Sequence, residues 1–299
     1  NDNIGISQGI YEVMERIVNE NEDICKSLSD NVALSTNLWD NSGNTIHIPV
    51  RYDLKSGSSV YRSYMIDREN LKVLLEKSYE QGTLKEERYS ILGLDNKYLE
   101  QVQCDFVNGK TISLFQDNKA KREQLIDAFR EDVKEADAKV LNGTPCANLM
   151  ITYANVPSLE EASGMVPGAV GDYYFSSGFY VYPQFKRTVE ILKETGYPLS
   201  MEDVKLTSVE ASYFMDENGT DYSSPVVYDK EEQLEALKKV LKCYQMVPLW
   251  EKRETDMWGY LKVMINGQES DEYWVILEKD VPEFMKEDYE RAQAFEILE

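Results

Sequence analysis

Nucleophilic catalysis starts from an imidazole or an equivalent base beside a hydroxyl or thiol, and these 299 residues include one histidine. His47 falls within Ile46-His47-Ile48-Pro49, an alternating stretch that reads as a strand, so a structural role is expected of it. No GxSxG elbow occurs, and neither a Walker pattern nor GxGxxG is present. The Gly-rich stretch from Gly164 to Gly171 lacks the Lys and Ser/Thr that grip phosphate and magnesium, so it reads as a connector.

Metal chemistry finds no better footing. Cys25, Cys104, Cys146 and Cys243 are far apart with no CxxC pair, which argues against zinc and for free, buried thiols. The run Asp216-Glu217-Asn218-Gly219-Thr220-Asp221 offers oxygen ligands, but its Gly comes too early for a calcium loop and no bidentate Glu stands at the required distance. A hairpin tip is the expectation there. Paired carboxylates at Glu86-Glu87, Glu160-Glu161 and Glu231-Glu232 would suit acid-base hydrolysis, yet with 54 acidic residues such adjacency is expected, and each pair reads as a solvated face. The residues thus point to no catalytic group, no cofactor and no metal.

Binding chemistry has one candidate. Twenty tyrosines is a high count, and Tyr173, Tyr174, Phe175, Phe179, Tyr180 and Tyr182 cluster within ten residues. Tyr joins apolar area to a hydrogen-bonding tip, which suits both cores and interfaces. Packing is the first expectation for the cluster. Tyr173, Tyr174, Phe179, Tyr180 and Tyr182 form the candidate partner-binding surface if one face of the strand is exposed.

The elements that must carry these residues repeat a plan of two alternating strands, a Gly-containing tip and an amphipathic helix. The tips are Ser56-Gly57, Asn108-Gly109, Asn218-Gly219 and Asn266-Gly267, dipeptides favoured in tight turns because Gly accepts positive φ. A leading helix is expected around Ile10, Val13, Met14, Ile17 and Val18, and a polar break at 19–23 ends it. Strands at 45–66 precede a helix from Asp67 to Gly82, and those at 102–115 precede one from Asp117 with Leu125, Phe129, Val133 and Ala136 as its buried stripe. Ala147 to Val156 and Tyr173 to Tyr182 read as strands, and Pro183 to Thr195 as a helix stopped by Gly196. Strands at 209–228 precede a helix capped by Asp229 with Glu232. Strands at 260–277 precede a helix that repeats this capping at Asp280-Val281-Pro282-Glu283.

Hairpins alternating with helices imply an α+β fold of antiparallel sheets with helices packed on one face. The composition shift near 141–146 divides the chain into a leading helix and connector (1–43), a first hairpin-helix lobe (44–141) and a second (142–299). A net charge of -22 without a basic block reads first as a highly soluble surface; it should repel nucleic acid and anionic lipid, leaving a protein or peptide partner, with a cationic one as the sharper alternative. No apolar stretch is long enough to span a bilayer. Asn1-Asp2-Asn3, without Met or a signal-like core, is what an excised portion of a larger protein would show.

The segment Val60-Tyr61-Arg62-Ser63-Tyr64-Met65-Ile66-Asp67, followed by Leu71, Leu74 and Tyr79, resembles a domain of unknown function attached to ABC-2-type transporter permeases of Firmicutes. The helices at 188–197 and 117–136 match in style. The resemblance covers about a third of the chain, through structural motifs, and carries over no catalytic residue or ligand. It implies an extracytoplasmic part of a membrane protein, joined to the membrane through a segment this chain lacks. The function expected is a non-enzymatic sensing or interaction module; a carboxylate-based hydrolase of cell-wall or glycan substrates and a structural spacer are the alternatives.

Overall fold

The computed structural model describes residues 2–25, 45–54, 59–67, 84–156, 173–211, 225–247 and 257–296. Helix α1 (Asp2–Glu20) buries Val13, Met14, Ile17 and Val18 along one stripe, and the polar residues from Asn21 turn the chain through hydrogen bonds back to Ile17 and Val18. Strands β1 (Thr45–Asp53) and β2 (Ser59–Asp67) pair antiparallel from Thr45↔Asp67 to Asp53↔Ser59. Their Ser56-Gly57 tip and the helix expected over 68–82 lie outside the described residues. A short helix α2 (Leu84–Tyr89) and two 3-10 turns lead into β3 (Leu99–Phe106), which turns at Asn108-Gly109 and pairs antiparallel with β4 (Thr111–Ser113).

Helix α3 (Lys119–Glu135) buries Leu125, Ile126, Phe129 and Val133 at helical spacing, and Ala136 just beyond its end is also buried. After the single turn α4 (Ala138–Leu141) come β5 (Ala147–Val156) and β6 (Tyr173–Val181). The order β4-β3-β5-β6 makes a four-stranded sheet. β5 is buried almost throughout, because a strand covered on both faces carries apolar residues in sequence rather than in alternation.

Helix α5 (Lys186–Lys193) follows, then β7 (Leu206–Ala211), β8 (Val226–Tyr228), α6 (Glu231–Val240), β9 (Lys242–Cys243), β10 (Met257–Ile265), β11 (Gln268–Glu269), β12 (Trp274–Leu277) and α7 (Glu283–Glu296). Strands β8-β7-β10-β12-β9, with β11 against β10, form a six-stranded sheet whose ladders are antiparallel. The fold is α+β.

Two capping expectations change. At α6 the N-cap position is held by Lys230 without a side-chain cap, so Asp229 and Glu232 do not form the reciprocal box. At α7 the Pro282 carbonyl accepts the first amide bonds, while Asp280 ends a 3-10 turn one step earlier. Likewise Pro183 stands in the turn before α5, not in its first turn, because the Tyr182 carbonyl takes the Phe185 amide at 2.9 Å and delays the helix.

The chain divides into two compact units. One comprises Asn1–Glu100, Lys134–Gly143 and Ile151–Ser177. Its buried residues include Met14, Val50, Tyr52, Val60, Leu84, Leu92 and Tyr153. The other comprises Gln101–Val133, Thr144–Met150 and Gly178–Glu299. Its core joins Val209, Val263, Trp274, Ile276 and Tyr228 on the sheet to Leu237 and Met285 on the helices. Each large side chain so enclosed contributes on the order of 2–3 kcal/mol relative to exposure.

Candidate functional site

The second unit gathers a groove from three chain segments that the sequence leaves far apart. The first is the exit from α5. Its N-cap residue, Phe185, supplies no capping side chain, and the role passes to Asp132 on α3. The buried Asp132 carboxylate accepts from the Thr188 amide and the Thr188 hydroxyl, each at 2.8 Å, and from Arg187 Nη1 at 3.0 Å. A carboxylate among amide donors at a helix start is favourable by hydrogen bonding and by the helix dipole. At the other end, Gly196 takes φ +76° and closes the helix. This throws Tyr197 outward, 38% exposed, with its ring stacked on Phe106 at 5.0 Å between centroids.

Phe106 ends β3, and the second segment is the tip beyond it. The Gly109 amide donates to the Phe106 carbonyl at 2.9 Å, and Asn108 Oδ1 accepts from the Lys110 amide at 3.3 Å. The third segment is the β10–β11 tip, where Asn266 and Gly267 take φ +53° and +78°, the pair of positive values a type I′ turn requires. The Asn266 amide donates to the Lys205 carbonyl and the Gly267 amide to Thr207 Oγ1, each at 3.1 Å, which fixes this tip against the start of β7. Between the three lies an open groove of about 510 Å³ lined by Asn108, Lys193, Gly196, Tyr197, Pro198, Leu199, Asp203, Val204, Ile265 and Asn266.

A smaller groove of about 290 Å³ opens beside β10, lined by Glu210, Lys262, Glu269, Ser270, Glu272 and the 69% exposed Tyr273 above Leu261 and Val263. Its charges are largely engaged. Lys262 stands opposite Glu210 in the ladder and reaches Glu269 at 3.2 Å. Glu272 accepts from Gln245 Nε2 at 2.9 Å and lies 3.1 Å from Thr111 Oγ1, whose one proton goes to the nearer Asp105. The same Thr111 hydroxyl lies 2.7 Å from Asp105, which also accepts from Asn148 at 2.8 Å.

Phe179, Tyr180 and Tyr182 are core residues, in line with the packing expectation and against the alternative of an exposed partner-binding surface. Phe179 packs edge-on against Phe129, Tyr182 against Phe185, and the Tyr180 hydroxyl donates to the Val247 carbonyl at 2.7 Å. Both faces of β6 are covered at this end, so alternation does not expose every second aromatic. Tyr173 and Tyr174 lie in β6, with side chains outside the described residues. His47 sits in β1 opposite Met65. Glu231 and Glu232 are exposed in the first turn of α6, Glu86 and Glu87 fall within α2, and the calcium-like run, the Gly-rich connector and Glu160-Glu161 lie outside the described residues.

All four cysteines are free and buried. Burial pushes the Cys104 thiol well above its usual range, with the Asp105 charge adding to the effect, and lifts Cys146 to about 12. Such thiols are poor nucleophiles. Among the described residues no three His, Cys, Asp or Glu side chains are placed to hold a metal ion, and no helix is long and apolar enough to cross a membrane.

Residues 52–196 match the family model described as Domain of unknown function (DUF6449). No curated protein and no solved structure matches the chain. The DUF6449 match ends at Gly196, so it contains Asn108 and the α5 side of the larger groove but stops one residue before Tyr197. Tyr197 and Asn266 escape sequence reasoning as site residues: the one is an isolated aromatic, the other an ordinary turn signal, and nothing local ties them together.

Proposed function

We propose that the chain is a non-enzymatic interaction module that presents the larger groove of its second unit to a polar partner. The observation that carries this reading is the lining of that groove. Its aromatic ring, two turn amides and aliphatic floor are each fixed by stacking or by backbone geometry, and it includes no nucleophile-base pair. Pre-formed lining of this kind lowers the ordering cost of binding without performing chemistry. The resemblance to domains carried by ABC-2-type permeases supports an extracytoplasmic setting on a transporter-like membrane protein, where such a module would sense or hold a peptide, a cell-wall fragment or a partner subunit.

A carboxylate hydrolase is the second reading, favoured by the glutamates that line the smaller groove. Engagement of Glu269 by Lys262 and of Glu272 by Gln245 weighs against a free acid-base pair there. Incubating the full chain with cell-wall glycan and peptide fragments separates the two. Backbone amide shifts at the larger groove without mass-detected turnover support the module; turnover abolished by Glu210→Gln would replace it with the hydrolase.

A further inference from the structure

The groove's charge balance narrows what it would hold. The chain carries a net charge of -22, yet the groove lining has one cation, Lys193, and one anion, Asp203. The lining itself adds no net charge, so its own groups make no distinction in favour of a cationic ligand over a neutral one. What the lining does offer is a partly exposed ring held against Phe106, and the side-chain amides of Asn108 and Asn266 on turns whose backbone is fixed. A flat apolar face flanked by neutral donors and acceptors complements a ligand that is itself uncharged, rich in hydroxyl or amide groups, and apolar on one face. A pyranose ring has that character, its axial C–H groups forming one face and its hydroxyls the rim. A volume of about 510 Å³ lies within the range of small-molecule sites.

Resting on the interaction-module reading, we propose that this groove is a binding site for a neutral saccharide, with Tyr197 as the stacking platform and Asn108, Asn266 and Asp203 as the hydroxyl-recognising groups. Lys193, which reaches the exposed Glu190 at 3.6 Å, contributes little to it.

The test is titration of the full chain with a short N-acetylglucosamine oligomer, a short glucose oligomer and a short lysine-rich peptide, followed by backbone amide shifts. Binding of either oligomer should shift amides in 193–204 and 265–267. Tyr197→Leu should then weaken binding about ten-fold while Tyr197→Phe retains it, since stacking and not the hydroxyl supplies the platform. Lys193→Gln tests the charge independently: it should leave saccharide affinity within about three-fold, whereas the affinity of a charged ligand would change more. Groove shifts with the peptide and not with the oligomers would overturn the saccharide assignment and leave the module standing. Oligomer shifts confined to other residues, or no shift with any probe, would overturn the assignment as well. Oligomer cleavage would instead remove the non-enzymatic reading while keeping the groove as the saccharide site.

Discussion

Asn108-Gly109 and Asn266-Gly267 are the same dipeptide at the same kind of place, and their glycines take almost the same φ, +75° and +78°. Their surroundings differ completely. A Cβ on Gly267 would meet nothing within 4 Å, while one on Gly109 would lie 2.0 Å from Ser270 Oγ and 3.2 Å from Trp274 Nε1. Ser270 Oγ is itself occupied, accepting from the buried Trp274 indole at 2.8 Å and from the Glu272 amide at 3.4 Å. Conformation alone demands Gly at one tip. At the other, conformation and space demand it together, because the turn is packed against the sheet that the second half of the chain builds.

The largest expected effect follows from that difference. Gly109→Ala must bear left-handed strain of about 1 kcal/mol and must displace the Ser270 hydroxyl, leaving the Trp274 donor without its partner at a further cost of about 1–3 kcal/mol. A loss near 3 kcal/mol in chemical denaturation is expected. A loss no larger than that of Gly267→Ala would show that the tip has room to move and would dissolve the contrast.

What the sequence discloses and conceals divides along the same line. The tips, the paired strands and the buried stripe of α3 are legible because period-two and period-3.6 patterns and Gly punctuation act within a few residues. Gly196 is likewise legible as a helix stop. The helix starts are not. Asp229 and Glu232 have the right types and spacing for a capping box, yet α6 begins at Lys230 without one, while the start of α5 is capped by Asp132, which lies 56 positions before Thr188. The candidate site fails for the same reason. The aromatic run at 173–182 draws the eye by density, but Phe179, Tyr180 and Tyr182 are enclosed by elements distant in sequence. Tyr197, alone in its neighbourhood, becomes a platform only because β3 delivers Phe106 beneath it. Partnership across long separations leaves no periodic trace.

Gly267→Ala should cost about 1 kcal/mol, the strain alone. Its value is as the reference for a double-mutant cycle at the other tip. Ser270→Ala removes the hydroxyl that a Cβ at 109 would strike, so in that background Gly109→Ala should fall toward the cost measured at 267. The coupling between 109 and 270 then reports the steric component separately. An uncoupled pair would place the cost of Gly109→Ala in the backbone and make the two tips equivalent after all.

The smallest effect at neutral pH, and the most local probe, comes from the thiols. Cys104 lies in β3 opposite Ile112, in the hairpin whose tip is Gly109, whereas the β10–β11 hairpin carries no cysteine. Because burial holds the Cys104 and Cys146 thiols above their unfolded value of 9.0, the folded state keeps protons that the unfolded state releases. The stability this contributes is fully present below pH 9 and falls as pH rises from about 9 toward about 12. Near neutral pH the buried Cys104 thiol should therefore react with an alkylating reagent only when the hairpin opens. Gly109→Ala should speed alkylation of Cys104 at pH 8, and Gly267→Ala should leave it near the wild-type rate. Equal acceleration by both substitutions would mean that the two tips report on one global opening, and the difference between them would then be one of packing without independent stability.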